Sequence, residues 1–325
     1  MFRWKPMGQS HTEQLRLALM DEAKVDTSYL ILIVSSCAIA TFGLLSNSAA
    51  VIIGAMIIAP LMLPIRALAF GAIEGNMRLF QRGLFSVTIG TLIAMILSCV
   101  VGWLAGITSF GSEVLARTQP TLLDLGIAIF AGGIGGYGKL EPKVSGTIAG
   151  TAIAVALMPP ICVIGLGLSQ GNWALSQGAA LLYLTNLLGI ALACMVTFGL
   201  AGYTPLHQVR KVLMGAIALT SILLIPLGIS FAELVKNARL ETSLRQALLN
   251  RTITFQRLDL RDVKVDWLSA PPQVRLIVYA KEPVTSKQVE LLESFVEAEI
   301  GQPFQLIFVV SYVEEVRRDR NQIQP

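Results

Sequence analysis

One apolar stretch occurs twice in this chain, and the repetition constrains the fold more than any other feature. Residues 52–76 read IIGAMIIAPLMLPIRALAFGAIEGN, and residues 148–172 read IAGTAIAVALMPPICVIGLGLSQGN. Each copy is long enough to span a bilayer and has proline near its middle. An internal repeat indicates architecture more strongly than any short motif. At an offset of 96 positions, the residues of the first copy with identical partners in the second include Gly54, Ile57, Leu61, Met62, Pro64, Ile65, Gly71, Gly75 and Asn76.

The composition places most of the chain in a membrane. It is 54% hydrophobic and 14% charged, with a mean hydropathy of +0.66, which is not typical of a soluble globular domain. Charged residues are few between Thr27 and Ser230 and frequent after them. We therefore expect a membrane domain followed by a water-soluble domain. The net charge of +4 is small and spread out, so we expect no nucleic acid as a partner.

A membrane-spanning helix needs about 20 mostly apolar residues, and by this measure the sequence predicts seven spans. They cover residues 28–46, 49–72, 84–107, 121–138, 145–168, 174–201 and 211–230. We expect an all-α membrane bundle with three parts. Residues 27–107 form the first repeat, residues 120–202 the second, and residues 210–230 an additional transmembrane helix.

The basic residues between spans predict the orientation of the bundle. The connections after the second, fourth and sixth spans contain Arg78, Arg82, Lys139, Lys143, Arg210 and Lys211. In the connections on the other side of the membrane, between the first and second, third and fourth, and fifth and sixth spans, Arg117 is the only basic residue. The positive-inside rule therefore places the basic loops and residues 1–26 in the cytoplasm. Residues 1–26 are predicted to form an amphipathic segment, with a capping-box pattern at Ser10 and Glu13. The two copies then cross the membrane in opposite directions, as an inverted 3+3 repeat.

The sequence of residues 231–316 predicts a small soluble α+β domain with a ferredoxin-like order of elements. Apolar residues alternate along predicted strands, as around Ile253 and Phe255. Thr285 and Gln288 form a capping box for a helix ahead of the last strand.

The seventh span should carry this domain to the extracytoplasmic side, and residues 317–325 should form a disordered tail. Its expected role is oligomerisation or regulation of the membrane part. We therefore expect a homo-oligomer.

Prolines inside the two copies predict a functional site at mid-depth. Pro60 and Pro64 lie in the second span, and Pro159 and Pro160 lie in the fifth. A proline bends a membrane helix and frees a backbone carbonyl, which must find a partner in protein or in a water-lined cavity. Ordinary kinking is one interpretation. Matching breaks in inverted copies favour the other, a transport site between the copies.

Four polar residues are further candidates for lining a translocation pathway. Thr185 and Asn186 lie near the centre of the sixth span, where they either bond neighbouring helices or line the route. Arg66 is alone among apolar residues and either binds an anion or extends its side chain to the cytoplasmic interface. Asn47 lies in a polar turn before the second span, and capping of that span is its simpler interpretation.

The sequence contains no catalytic or metal-binding pattern. The four cysteines, Cys37, Cys99, Cys162 and Cys194, lie in apolar segments and are expected to pack as small hydrophobic residues. No nucleophile, base or metal set converges at one depth, so we expect neither an enzyme nor a cofactor. No carboxylate lies at mid-depth, which argues against a proton-driven antiporter.

The motifs GLLSNSAAVIIGAMIIAPLMLPI and IAVALMPPICVIGLGLSQGNW, the second followed by LTNLLGI, resemble a family of prokaryotic integral membrane proteins known as domain of unknown function 389. The resemblance covers residues 28–205. It implies a multi-pass protein of a prokaryotic inner membrane and supplies no substrate and no catalytic residue.

These observations lead to two hypotheses. The first is a transporter or channel that moves a small solute or ion, with an anion as one candidate, between two inverted, proline-broken helices. The second is a membrane-anchored sensor or scaffold whose C-terminal domain mediates oligomerisation or ligand binding.

Overall fold

The computed structural model describes residues 9–106, 110–141, 157–203, 206–251, 258–266, 271–280 and 284–312. It divides into two compact units, Met1–Phe231 and Ala232–Pro325. The described helices that begin in the first unit are α1 (Gln9–Glu22), α2 (Thr27–Leu45), α3 (Ala49–Ile58), α4 (Met62–Glu74), α5 (Met77–Ala105), α6 (Ser112–Leu115), α7 (Leu122–Leu140), α8 (Met158–Ser169), α9 (Trp173–Leu200) and α10 (Leu206–Arg251).

Four of the described helical segments are long and apolar enough to cross a membrane: Thr27–Leu45, Met77–Ala105, Trp173–Leu200 and Val212–Ala232. The pair α3 and α4 counts as a fifth only if the two are taken together, because they are bent by 52° at a short break. These apolar helices indicate an integral membrane protein.

The prediction of seven spans is not confirmed. The fourth predicted span corresponds to α7, which contains Asp124 and Lys139 near its ends and several glycines at its centre. It is not among the four described segments that are long and apolar enough to cross a membrane. The fifth predicted span begins within residues 142–156, which lie outside the described residues. Its described part is the 12-residue helix α8.

The two copies of the repeat form equivalent helical hairpins. The helix α4 leads into α5, and α8 leads into α9, each through a glycine in the left-handed conformation. These are Gly75, with φ of 73°, and Gly171, with φ of 66°. Glycine adopts this conformation without the steric cost that a β-carbon would add. The matching glycines in the sequence repeat therefore mark matching helix ends.

The hairpins pack against each other reciprocally, with α5 against α8 and α4 against α9. In the second contact, the rings of Phe70 and Phe198 meet edge to face with centroids 5.4 Å apart. Both rings are fully buried. This contact joins the two copies through a shared hydrophobic core, which also includes α1 through the buried side chains of Leu15 and Leu19.

The order of contacts along α5 gives the directions of its neighbours. Gly83 of α5 lies against Pro64 and Leu68 of α4, and further back along α5, Phe80 lies against Gly71 of α4. The contacts of α4 therefore move backwards along α5.

The contacts of α8 move in the other sense. Gly165 of α8 lies against Met95 and Cys99 of α5, and Ser169 lies against Gly102. Along α5, the short helices α4 and α8 consequently run in opposite directions.

The second unit contains the C-terminal part of α10 and a small sheet. Its strands are β1 (Leu258–Asp266), β2 (Gln273–Ala280) and β3 (Gln305–Tyr312), with α11 (Ser286–Ile300) between β2 and β3. The sheet order is β1-β2-β3, with β1 and β2 antiparallel and β2 and β3 parallel. The buried residues Val274, Leu276, Val278, Leu292 and Val296 form the core between sheet and helix.

The predicted capping box at the start of α11 is present, with Thr285 and Gln288 bonded reciprocally. The ferredoxin-like topology, which requires four strands, is not confirmed by the three described strands. The predicted strand at Ile253 and Phe255 and the predicted tail at 317–325 lie outside the described residues. In the first unit, Ser10 lies within α1 rather than ahead of it.

Candidate functional site

A cavity of about 310 Å³ in the first unit brings together polar and apolar side chains from five helices. Its lining consists of Met56, Glu113, Ala116, Arg117, Asp124, Ile127, Pro160, Leu182 and Asn186. Two of the residues predicted from the sequence, Pro160 of α8 and Asn186 of α9, therefore meet in one cavity. Both are buried, and Met56 of α3 adds a contribution from the first copy.

The charged side chains of the cavity come from the segment between α5 and α7 and from the first turn of α7. Arg117 donates to Glu113 through Nη1, 2.9 Å from Oε2. Asp124 accepts from the backbone amide of Thr121 at 2.7 Å and from its hydroxyl at 2.9 Å, which forms a capping box at the start of α7. These charges are held by local bonds, so they can face water in the cavity without losing their partners.

Sequence reasoning missed these three charged residues as a site. Arg117 follows Glu113 by four positions, which is the spacing of neighbours on one helical turn. Asp124 follows Thr121 by three, which is the capping-box spacing. Both signals were present, but neither indicated that the segment packs over Pro160 and Asn186.

Asn47 fixes this segment without lining the cavity. It lies in the turn between α2 and α3 with φ of 52°, a conformation that asparagine tolerates better than most residues. Its Oδ1 accepts from the backbone amide of Glu113 at 2.9 Å and from the hydroxyl of Ser112 at 3.3 Å. Asn47 therefore bonds α6 rather than capping α3, whose N-cap residue is Ser48.

The four predicted prolines lie at the starts of half-length helices. Pro60 lies in the break between α3 and α4, Pro64 is the third residue of α4, and Pro159 and Pro160 follow the first residue of α8. The first turn of a helix does not use its amide hydrogens within the helix, so proline is tolerated there. The prolines thus mark buried helix starts instead of kinks within continuous helices.

Thr185 bonds its own helix. Its hydroxyl donates to the carbonyl of Leu181 at 2.8 Å, and the side chain is fully buried. It does not line the cavity.

Arg66 lies away from the cavity, in a separate ionic cluster. Its side chain is 8% exposed, and Nη2 lies 3.1 Å from Oε2 of Glu22 on α1. The other oxygen of Glu22 lies 2.6 Å from Nζ of Lys139 at the end of α7. Sequence reasoning considered an anion or the interface as the partner of Arg66. The structure supplies a carboxylate from α1, which hydrophobic patterning alone did not indicate.

The cysteines pack inside the bundle. Cys37, Cys162 and Cys194 are buried, Cys99 is half-buried, and the sulfur atoms of Cys37 and Cys162 lie 3.7 Å apart. Within the described ranges, no group of three or more histidine, cysteine, aspartate or glutamate side chains could hold a metal ion.

Comparison with known proteins finds a family match over part of the chain. Residues 56–192 match the family described as "Domain of unknown function (DUF389)". The chain is 28% identical to an uncharacterised protein of Methanocaldococcus jannaschii over 199 residues, a match that covers 61% of this chain and 62% of that relative. No solved structure matches the chain. The resemblance inferred from the sequence is therefore confirmed, and the family has no assigned function.

Proposed function

We propose that this integral membrane protein conducts a small solute or ion through a route that includes the cavity between α3, α6, α7, α8 and α9. One observation carries the proposal. The cavity extends from the charged residues Glu113 and Arg117 to the buried Asn186 amide and to Pro160, at the start of a half-length helix. Sites of this kind, formed by interrupted helices within a bundle, are typical of inverted-repeat transporters.

The packing along α5 supports the inverted repeat that the proposal requires. The short helices α4 and α8 are corresponding parts of the two sequence copies, and their contacts progress in opposite directions along α5. Each of them has proline in its first turn and a buried N-cap residue, Leu61 or Leu157. Two inverted copies of this design provide the two halves between which a solute could pass.

The polar contacts support the orientation proposed for the prokaryotic inner membrane. Asn47 bonds Glu113, and both are predicted on the extracytoplasmic side. Glu22 bonds Lys139, and both are predicted on the cytoplasmic side. In this orientation the cavity is nearer the extracytoplasmic face, the N-terminus is cytoplasmic, and the segment Val212–Ala232 carries the C-terminal unit outwards.

The proposal includes neither an enzyme activity nor a cofactor. The C-terminal unit is proposed to act in homo-oligomerisation or in regulation of the membrane part, and the bilayer itself is the remaining partner. If purified protein conducts nothing, the second hypothesis, a membrane-anchored sensor or scaffold, gains support.

The test is flux through purified protein in liposomes, measured against a panel of ions and small solutes. Leu182 lines the cavity and is 5% exposed, so Leu182→Trp should fill the space and reduce flux at least about tenfold, as expected for an obstructed route. Leu184, two residues along the same helix, is 45% exposed. Leu184→Trp is the matched control and should conduct as the wild type does. Equal flux through both variants would exclude this cavity from the route.

A further inference from the structure

Glu22 is shared by two cations from different helices. Its Oε2 lies 3.1 Å from Arg66 on α4, and its Oε1 lies 2.6 Å from Lys139 on α7. Because Glu22 is the last residue of α1, a single carboxylate joins the N-terminal helix to both copies of the repeat. Nothing in the hydrophobic packing of α1 requires a charge at this position, so the pairing needs a separate explanation.

The cluster retains a positive charge and an unused donor. One carboxylate compensates one of the two cations, although the side chains of Arg66, Glu22 and Lys139 are only 8%, 21% and 20% exposed. The Nε of Arg66 is buried, with no hydrogen-bond acceptor among the described residues. A guanidinium has five donor hydrogens and suits oxyanions that accept two of them together. The cluster therefore has both the charge and the donor to bind an anion.

The helix α1 is held in the bundle by the buried side chains of Leu15 and Leu19, by the Arg16–Glu74 ion pair, and by a hydrogen bond of 2.6 Å from the Ser86 hydroxyl to the carbonyl of Ala23. Glu22 is the last residue of this helix, so its carboxylate can turn away from the cluster while the helix stays packed. Arg66 and Lys139 belong to helices inside the bundle. When Glu22 moves away, two buried cations remain without a counter-charge, which is unfavourable unless an anion replaces the carboxylate.

We propose that Arg66 and Lys139 form an anion-binding site that Glu22 occupies in this structure, and that a phosphate-type oxyanion competes with the Glu22 carboxylate for these two cations. The anion is either a free ion or a lipid headgroup, since both present the same oxygens. The inference is independent of the proposed conduit. Binding of the anion itself does not depend on transport.

The test uses the full-length protein in detergent and measures the melting temperature during titration with sodium phosphate. Sodium gluconate keeps the ionic strength constant. Glu22→Gln preserves the shape of the side chain and removes its charge, which opens the site to phosphate. At a hundredfold excess over Kd, we expect phosphate to raise the melting temperature of this variant by about 5 °C or more, and that of the wild type by far less.

Asp21→Asn is the matched control, because Asp21 is exposed, adjacent to Glu22, and paired with Lys24 instead of with the cluster. It should titrate as the wild type does. The double variant Glu22→Gln with Arg66→Gln should lose the phosphate response. A Glu22→Gln variant that titrates as the wild type does, or a double variant that keeps the full response, would overturn the proposal.

A Glu22→Gln variant that can be isolated only with an anion present is also informative. Recovery of folded protein from phosphate but not from gluconate supports the site, whereas equal failure in both contradicts it. In a second arm, phosphatidylglycerol replaces phosphate, with phosphatidylcholine as the control lipid, which distinguishes a lipid headgroup from a free ion. A response to phosphate or to phosphatidylglycerol supports the site, and a response to neither of these two overturns it.

Flux and binding separate the two proposals. If Glu22→Gln binds phosphate but liposomes show no flux of any solute, the anion site stands and the conduit fails. If the wild type conducts but Glu22→Gln gains no anion response, only the anion site fails.

Discussion

Asn76 and Asn172 make the same hydrogen bond at the starts of two long helices that are separated by 96 positions in the sequence. In each case, the side-chain Oδ1 accepts from the backbone amide three residues further on, at 3.1 Å. The backbone amide of each asparagine also donates over 2.9 Å to a glycine carbonyl at the end of the preceding helix. The sequence repeat is therefore also a repeat of local hydrogen bonding.

This equivalence predicts equal effects in the two copies. Asn76→Ala and Asn172→Ala each remove an N-cap acceptor, which typically costs about 1 kcal/mol of folding free energy. We expect each variant to lower the melting temperature in detergent by roughly 2–4 °C. Asparagine to aspartate at either position keeps the acceptor and should preserve stability. A lower melting temperature in only one of the two alanine variants would contradict the equivalence.

Much of the membrane unit could be predicted from its sequence. The predicted second and fifth spans end at residues 72 and 168, close to the ends of α4 and α8 at Glu74 and Ser169. The apolar lengths indicated the long spans α2, α5 and α9. The capping box at Thr285 was likewise local, and the structure contains it.

The partners of the charged residues could not be predicted in the same way. Glu22 meets Arg66 across 44 positions of sequence, and Asn47 meets Glu113 across 66. Such contacts depend on how helices pack, and neither spacing nor hydropathy encodes that packing. The seven-span prediction is not confirmed at α7, where Asp124, Lys139 and the central glycines interrupt the apolar sequence. This helix is not among the four described segments that are long and apolar enough to cross a membrane.

Close packing at Gly165 gives a second prediction. A β-carbon added there would lie 2.5 Å from the carbonyl oxygen of Met95 and in contact with the Ser98 hydroxyl, so Gly165→Ala should force α8 away from α5. We expect a loss of about 1–3 kcal/mol, detected as a lower melting temperature.

Gly126 provides the matched control, since no atom lies within 4 Å of a β-carbon added at that position. Gly126→Ala should leave the melting temperature unchanged or raise it slightly, because alanine favours helix more than glycine does. Equal losses in both variants would show that the α5–α8 contact is not tight.

The Arg16–Glu74 pair gives a third prediction, about the attachment of α1. The arginine donates through Nε and Nη2 over 2.6–3.1 Å, and the carboxylate raises the pKa of the guanidinium, so the arginine stays protonated. Arg16→Glu replaces the attraction by repulsion and should increase hydrogen exchange in residues 9–22. The exchanged pair, Arg16→Glu with Glu74→Arg, should restore protection, with a coupling energy of about 1 kcal/mol for this partly exposed pair.

Hydrogen–deuterium exchange followed by mass spectrometry resolves this segment in the intact protein. The double variant with the two charges swapped retains both charges, so it separates the ion pair from a general effect of charge on α1. If α1 in this double variant exchanges as fast as in Arg16→Glu, the ion pair does not hold the helix.

The reciprocal packing of the hairpins has a consequence for biosynthesis. The faces of α4 and α5 that pack against α9 and α8 are covered only after α8 and α9 have been synthesised. Until then, the nascent N-terminal half presents small, closely packing surfaces such as Gly102 to lipid or to insertion factors. The first half of the polypeptide is therefore inserted into the bilayer before it can pack against the second half, which is synthesised later.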